Sequence, residues 1–326
     1  MVVEALPVRP AHRVQTLLLR ATAGLLGRLP WRAALALGAG LGTLLLWLGV
    51  RRRVARANLA LAFPERGPAW RTRVLAEAYR ELGRVAAEYA QLPRLAARPR
   101  EQVYARLEGE EHVRQAIALG RGVIFLTGHM GNFELGAAAL ARTVPVAILV
   151  KPLSNPGAEA WIAAQRRRSG LELLPIGPGV RSALKRLRAG GALAMLGDQD
   201  ARRAGVFVPF FGRLSSTPAG PAWLSLASGA PIVFGICSRA RDGRHELRIL
   251  PPIVPRGEAS DPAAVSALTA CHARILEAAV RERPEAWFWL HRRWKTSPDP
   301  PSAGTPAGSP AGAPPAREPQ SQVKEA

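Results

Sequence analysis

The stretch Val123-Ile-Phe-Leu-Thr-Gly-His-Met-Gly-Asn-Phe-Glu134 decides how this chain is read. Val123 to Leu126 is a continuous apolar run, the pattern of a strand buried on both faces. Glycines at 128 and 131 let the chain turn sharply and let another molecule approach the backbone. From Phe133 to Leu140 the residues are mostly apolar, and a helix is expected to start there. His129 and Glu134 therefore stand in a Gly-rich loop at the carboxyl end of a strand, where open α/β sheets carry their chemistry. An imidazole oriented by a carboxylate is a ready general base. A surface histidine near an unrelated acid would show the same spacing. The strand, the two glycines and the abrupt helix start favour catalysis.

Working outward, the same alternation continues. Strands are expected at 122–127, 146–150, 172–176, 192–197, 231–237 and 246–250, with helices at 133–142, 155–169, 179–189, 217–228 and 262–282. Strands separated by helices of this length predict an α/β fold with a mixed, largely parallel sheet flanked by helices. Upstream, residues 69–97 and 101–120 carry helical spacing with many charges and predict a helical lead-in. From Pro298 to Ala326 the chain holds eight prolines among Ala, Gly and Ser, a composition that forms no core. The organisation read from the sequence is thus an N-terminal membrane-anchoring segment (1–57), a catalytic domain (58–297) and a disordered tail (298–326).

The anchoring segment rests on two apolar patches. Ala33 to Val50 is free of charge and ends against Arg51-Arg52-Arg53. As a helix its 18 residues would cover about 27 Å, marginal for a hydrocarbon core of about 30 Å. Gly38-Ala-Gly-Leu-Gly42 within it is either a close-packing surface or a compositional accident. Leu17-Leu18-Leu19 with Leu25-Leu26, broken by Arg20, predicts an amphipathic interfacial helix. A membrane-associated segment is expected, with a single span and surface anchoring both open.

Composition narrows the partners. The net charge is +21 with only four lysines, so the protein is arginine-rich and seeks anions: phosphate-bearing lipid headgroups, an acidic carrier protein or nucleic acid. The six histidines are scattered and the two cysteines, Cys237 and Cys271, are isolated, so no metal site is expected and both thiols are expected to be free. Neither a Gly-x-Ser-x-Gly elbow nor a Walker loop is present, which leaves serine hydrolases and P-loop enzymes without support.

Further segments fall on the same rim as His129. Arg166-Arg-Arg168 could clamp a phosphate or carboxylate, although an ordinary basic helix terminus reads the same way. Asp198-Gln-Asp200 follows a strand and could orient a cation, accept a hydroxyl or cap the next segment. Val206-Phe-Val-Pro-Phe-Phe-Gly212 reads as core or as the wall of an apolar channel. Trp287-Phe-Trp-Leu-His-Arg-Arg-Trp-Lys295 interleaves tryptophans with cations, as a membrane interface would; His291 within it reads as structural.

Taken in order, Asn58-Leu-Ala-Leu-Ala-Phe-Pro-Glu65, Gly128-His-Met-Gly-Asn-Phe-Glu134, Gly197-Asp-Gln-Asp200, Val206-Phe-Val-Pro-Phe-Phe-Gly212 with Thr217-Pro-Ala-Gly220, and the tryptophan segment resemble the lipid A biosynthesis (lauroyl/myristoyl) acyltransferases, within the lysophospholipid acyltransferase superfamily. The likeness runs from about residue 15 to 297. It implies transfer of a fatty acyl chain from acyl carrier protein to a hydroxyl of a lipid A precursor at the cytoplasmic side of an inner membrane; the alternatives are a sister acyltransferase using another glycolipid or an aminolipid, and a non-catalytic basic membrane- or nucleic-acid-binding protein. No cofactor is implied beyond the acyl carrier protein thioester, and no nucleic acid partner is expected. The resemblance makes His129 and Glu134 the catalytic pair, His129 as general base with Glu134 bracing the ring. It makes Arg166, Asp198 and Asn132 substrate-binding residues.

Overall fold

A computed structural model describes residues 9–298; the Pro-rich tail lies outside the described residues. The chain begins with helices α1 (Pro10–Arg28), α2 (Trp31–Trp47), α3 (Arg52–Ala62), α4 (Pro68–Ala90), α5 (Leu92–Ala96) and α6 (Arg100–Val103). The α/β body follows as β1 (Tyr104–Glu108), α7 (Glu110–Ala118), β2 (Val123–Thr127), α8 (Phe133–Ala141), β3 (Val146–Val150), α9 (Pro156–Arg168), β4 (Glu172–Pro175), α10 (Pro178–Arg188) and β5 (Ala192–Leu196). It closes with β6 (Val206–Phe210), β7 (Arg213–Thr217), α11 (Gly220–Ser228), β8 (Ile232–Arg239), β9 (His245–Ile249) and α12 (Pro262–Glu282).

Seven strands form one sheet in the order β1-β9-β8-β2-β5-β3-β4. The strands from β8 to β4 are mutually parallel, while β9 runs antiparallel to β8 and β1 parallel to β9. The expected mixed, largely parallel sheet flanked by helices is the observed one. β2 lies inside it, and Val123 to Leu126 are all buried, as helices on both faces require. Register places the chemistry: Thr127 pairs with Leu196, so the residues two positions beyond each strand, His129 and Asp198, emerge side by side.

Two strand assignments differ from the sequence reading. Tyr104–Glu108 was expected inside a helix at 101–120, but it forms β1 at the sheet edge. Its Arg106 and Glu108 pair with each other on the exposed rim, and charges of that kind suit an edge strand as well as a helix. The aromatic run 206–212 is an antiparallel hairpin with β7, turning through Phe211 and Gly212 at φ 54° and 70°. Positive φ at both central residues is the type I′ geometry, here without the Asn-Gly pair that announces it.

The glycine cluster in α2 is a packing surface. A Cβ on Gly42 would lie 1.9 Å from the Tyr79 carbonyl oxygen, and one on Gly83 1.9 Å from that of Gly38, so α2 and α4 touch backbone to backbone. With its 17 residues, α2 is about 25 Å long, and α3 turns away from it by 92°. Among the described residues α12 is the one single helix long and apolar enough to cross a membrane, α2 reaching that length only together with α3, but α12 packs its Leu268, Leu276 and Val280 face into the body of the fold.

Candidate active site

The turn after β2 is built by close contact. Gly131 takes φ 52°, and a Cβ there would stand 2.0 Å from the Cys237 carbonyl oxygen on β8. The loop is then latched by the tryptophan segment: Gly131 N–H donates to Ala286 O at 2.8 Å and Phe288 N–H to His129 O at 2.9 Å. Asn58 holds that segment in turn, donating to Trp289 O at 2.8 Å. Trp287 and Trp289 are buried, with Trp289 fully enclosed, so these rings pack the interior instead of the membrane interface.

His129 is fixed by Asp198. The Nδ1 atom lies 2.7 Å from Asp198 Oδ1, and the His129 backbone N–H donates to Oδ2 at 2.8 Å. Trp287 Nε1–H donates to the same Oδ2 at 2.9 Å. An acceptor at Nδ1 sets the tautomer that leaves the Nε2 lone pair outward. Burial disfavours the imidazolium, but the charge and hydrogen bond of Asp198 outweigh it, so the His129 pKa is raised. Burial likewise opposes the Asp198 carboxylate, yet His129 and the three donated bonds hold it at about 2. Phe133 meets the ring edge-on at 5.1 Å.

Glu134 does not brace the ring, contrary to the sequence expectation. The first turn of α8 directs it to Arg166, whose Nε donates to Oε1 at 3.0 Å with Nη2 on the same oxygen. The pair, with Glu134 buried and Arg166 partly so, lies between the N-terminus of α8 and the C-terminus of α9, where each helix dipole favours the charge it faces. Glu134 still acts on His129 through space, adding to the upward shift. Arg166 was read as a substrate clamp; its fork is already engaged.

Asn132 is fully buried and spent on structure: its Oδ1 caps α8 at Leu135 N–H, 3.0 Å, and its Nδ2 donates to Glu88 at 2.9 Å. The backbone N–H groups of His129, Met130 and Gly131 are bonded within the fold, so they are not open oxyanion donors. Gln199 stands at the outward nitrogen, its Nε2 lying 3.4 Å from His129 Nε2. Against the imidazole opens a pocket of about 180 Å³ whose walls include Leu82, Val85, Phe133, Phe288 and Leu290, an apolar cleft between α4 and the tryptophan segment. Among the described residues no group of three or more His, Cys, Asp or Glu side chains is arranged to hold a metal.

This dyad, its apolar cleft and the α/β scaffold are carried by a chain whose residues 9–296 match the family model for bacterial lipid A biosynthesis acyltransferases. The chain belongs to that family. It is similar to the lipid A biosynthesis lauroyltransferase of Escherichia coli K12, 30% identical over 281 residues that cover 83% of this chain and 88% of that enzyme. The palmitoleoyltransferase of the same organism is 28% identical over 275 residues, with 83% and 88% covered. A phosphatidylinositol mannoside acyltransferase of Mycolicibacterium smegmatis is 27% identical over 190 residues, 56% of this chain and 60% of the relative.

In this acyltransferase a second ionic cluster supports the loop, and the sequence reading missed it. Glu88, wholly buried on α4, accepts from Arg239 at 2.7 and 2.8 Å, His245 at 2.9 Å, Trp31 at 3.0 Å and Asn132 at 2.9 Å. Arg239 also meets Glu81 at 2.9 Å. Arg293, buried beneath Phe210, donates to Ser216 O and Thr217 Oγ1, both at 2.6 Å, and ties the hairpin to the tryptophan segment. These residues are scattered in sequence between positions 31 and 293 and share no spacing. The one available signal was charged side chains inside otherwise apolar runs, such as Arg239 at the end of β8.

Proposed function

We propose that this enzyme moves a fatty acyl chain from an acyl carrier protein thioester to a hydroxyl of a lipid A precursor, with His129 as general base. The observation that carries the reading is the outward Nε2 of a carboxylate-held imidazole at the mouth of an apolar cleft. The acceptor hydroxyl oxygen attacks the thioester carbonyl carbon as its proton passes to Nε2. The tetrahedral adduct collapses, the C–S bond breaks, and imidazolium returns the proton to the departing thiolate. Asp198 keeps the tautomer and stabilises the imidazolium; Gln199 is the donor placed to steady the hydroxyl or the oxyanion. The Glu134–Arg166 pair fixes the wall beside the ring. No acyl-enzyme is required.

The setting is an inner membrane with the active site on its cytoplasmic side, where acyl carrier protein is found. Supporting it, α1 and α2 turn apolar faces outward, with Leu17 68% and Trp47 77% exposed, and arginines 51 to 53 follow directly. An arginine-rich surface suits both an acidic carrier and a phosphorylated lipid. Similarity to a phosphatidylinositol mannoside acyltransferase supports a second reading, the same chemistry on another glycolipid. The test incubates the enzyme with radiolabelled acyl carrier thioester and either lipid A precursor or phosphatidylinositol mannoside. Label in the lipid A precursor alone is expected. Label in the mannoside alone would transfer the assignment, and no thioester consumption with either would remove it.

A further inference from the structure

The structure holds a second pocket of different character. It measures about 350 Å³, opens between α1, α5 and α9, and shares no lining residue with the cleft at His129. Arg20, Arg94 and Arg168 line it, and no carboxylate does. Arg94 gives one N–H to Gly27 O at 3.1 Å, while Arg20 and Arg168 bond nothing among the described residues. Gln165, only 8% exposed, also lines the pocket, and its side-chain amide has no partner among the described residues. An unpartnered amide at the pocket wall is open to a ligand's hydrogen bonds, and three guanidiniums facing one space repel each other. An anion with several acceptor oxygens answers both.

We propose that this pocket takes the phosphate of an anionic lipid headgroup. The lipid source is argued from α1 itself: Val14, Leu17, Leu18 and Leu25 are exposed on the same helix that carries Arg20. Acyl chains lying on that stripe would bring a headgroup phosphate to the pocket mouth. The guanidiniums then bond the phosphate oxygens, and the Gln165 amide donates to a phosphate oxygen or accepts from a headgroup hydroxyl. The inference rests on the membrane reading of the N-terminal helices and not on the acyl-transfer chemistry.

The test measures binding of the full chain to phosphatidylcholine vesicles with and without phosphatidylglycerol. Wild type is expected to prefer the anionic vesicles. Arg20→Gln/Arg168→Gln should lose that preference by on the order of tenfold while keeping its binding to phosphatidylcholine. Arg9→Gln/Arg13→Gln removes the same amount of charge at the start of α1, outside the pocket, and should change it far less. Gln165→Leu, which keeps every charge, should also weaken the preference and covers the case in which the double variant fails to fold. Inorganic phosphate at constant ionic strength distinguishes the sources: competition means the phosphate group alone is recognised, and no competition means the lipid is required. Equal losses in the two double variants, or an unchanged preference in both pocket variants, would overturn the proposal. Lost binding to phosphatidylcholine vesicles by wild type would instead overturn the membrane reading.

Discussion

Among the described residues two histidines are paired with buried carboxylates, and only one of them turns its second nitrogen to a cleft. His129 meets Asp198 at 2.7 Å and His245 meets Glu88 at 2.9 Å. The His129 side chain is 23% exposed, with its second nitrogen facing the cleft and Gln199. The His245 side chain is wholly enclosed, with its second nitrogen 3.8 Å from Cys237 Sγ. Burial opposes its charge, but Glu88 and the contact with Cys237 prevail and lift its pKa to about 10. A ring held protonated and sealed is a fixed cation. What sets His129 apart is a second nitrogen facing a cleft, not the carboxylate partner.

The comparison breaks most visibly at His129. His129→Ala should lower kcat by roughly 10²–10⁴ with the thermal melt unchanged, whereas His245→Gln should leave kcat within a few-fold and lower the melting temperature. Equal rate losses in the two would erase the distinction. Asp198→Asn comes next, with a kcat loss of about 10²–10³, because an amide no longer selects the Nδ1–H tautomer or steadies the imidazolium.

On the stability side the order reverses. Glu88→Gln leaves Arg239 and His245 sharing too little negative charge in the interior, and should cost about 3–5 kcal/mol, read by urea unfolding. The pH dependence follows from the folded-state shift. The His245 pKa is raised from 6.5 to about 10, so its contribution to stability is complete below pH 6.5 and is lost as pH rises through about 10. Unfolding curves from pH 6 to 11 should show that decline in wild type and its absence in His245→Gln. Smallest is Glu134→Gln, which keeps an acceptor for Arg166 but removes a charge near the ring. A kcat loss of about tenfold or less is expected, and a loss matching His129→Ala would restore Glu134 to the centre of the mechanism.

The sheet was legible because its inner strands are short apolar runs between helices, and β3 and α12 have the bounds their patterns predict. β1 was not, because Tyr104–Glu108 sits at an edge where charge replaces alternation. The site residues were visible one at a time from their motifs, but their pairing was not. Sequence proximity favoured Glu134 as the partner of His129, while the β2–β5 register, which nothing local encodes, delivers Asp198 instead. Trp287 looked interfacial for the same reason: its ring is apolar, and the acceptor that buries its N–H lies 89 positions away.

The pH profile of kcat/KM tests the central claim most directly, taken on wild type and Asp198→Asn with acyl carrier thioester and lipid A precursor. Because the His129 pKa is raised by Asp198 and a base must be unprotonated to work, the wild-type rate should fall as pH drops through an apparent pKa above 6.5. In Asp198→Asn that acidic limb should move to lower pH as the plateau drops. An acidic limb that stays in place when Asp198 is neutralised would contradict a dyad of His129 and Asp198.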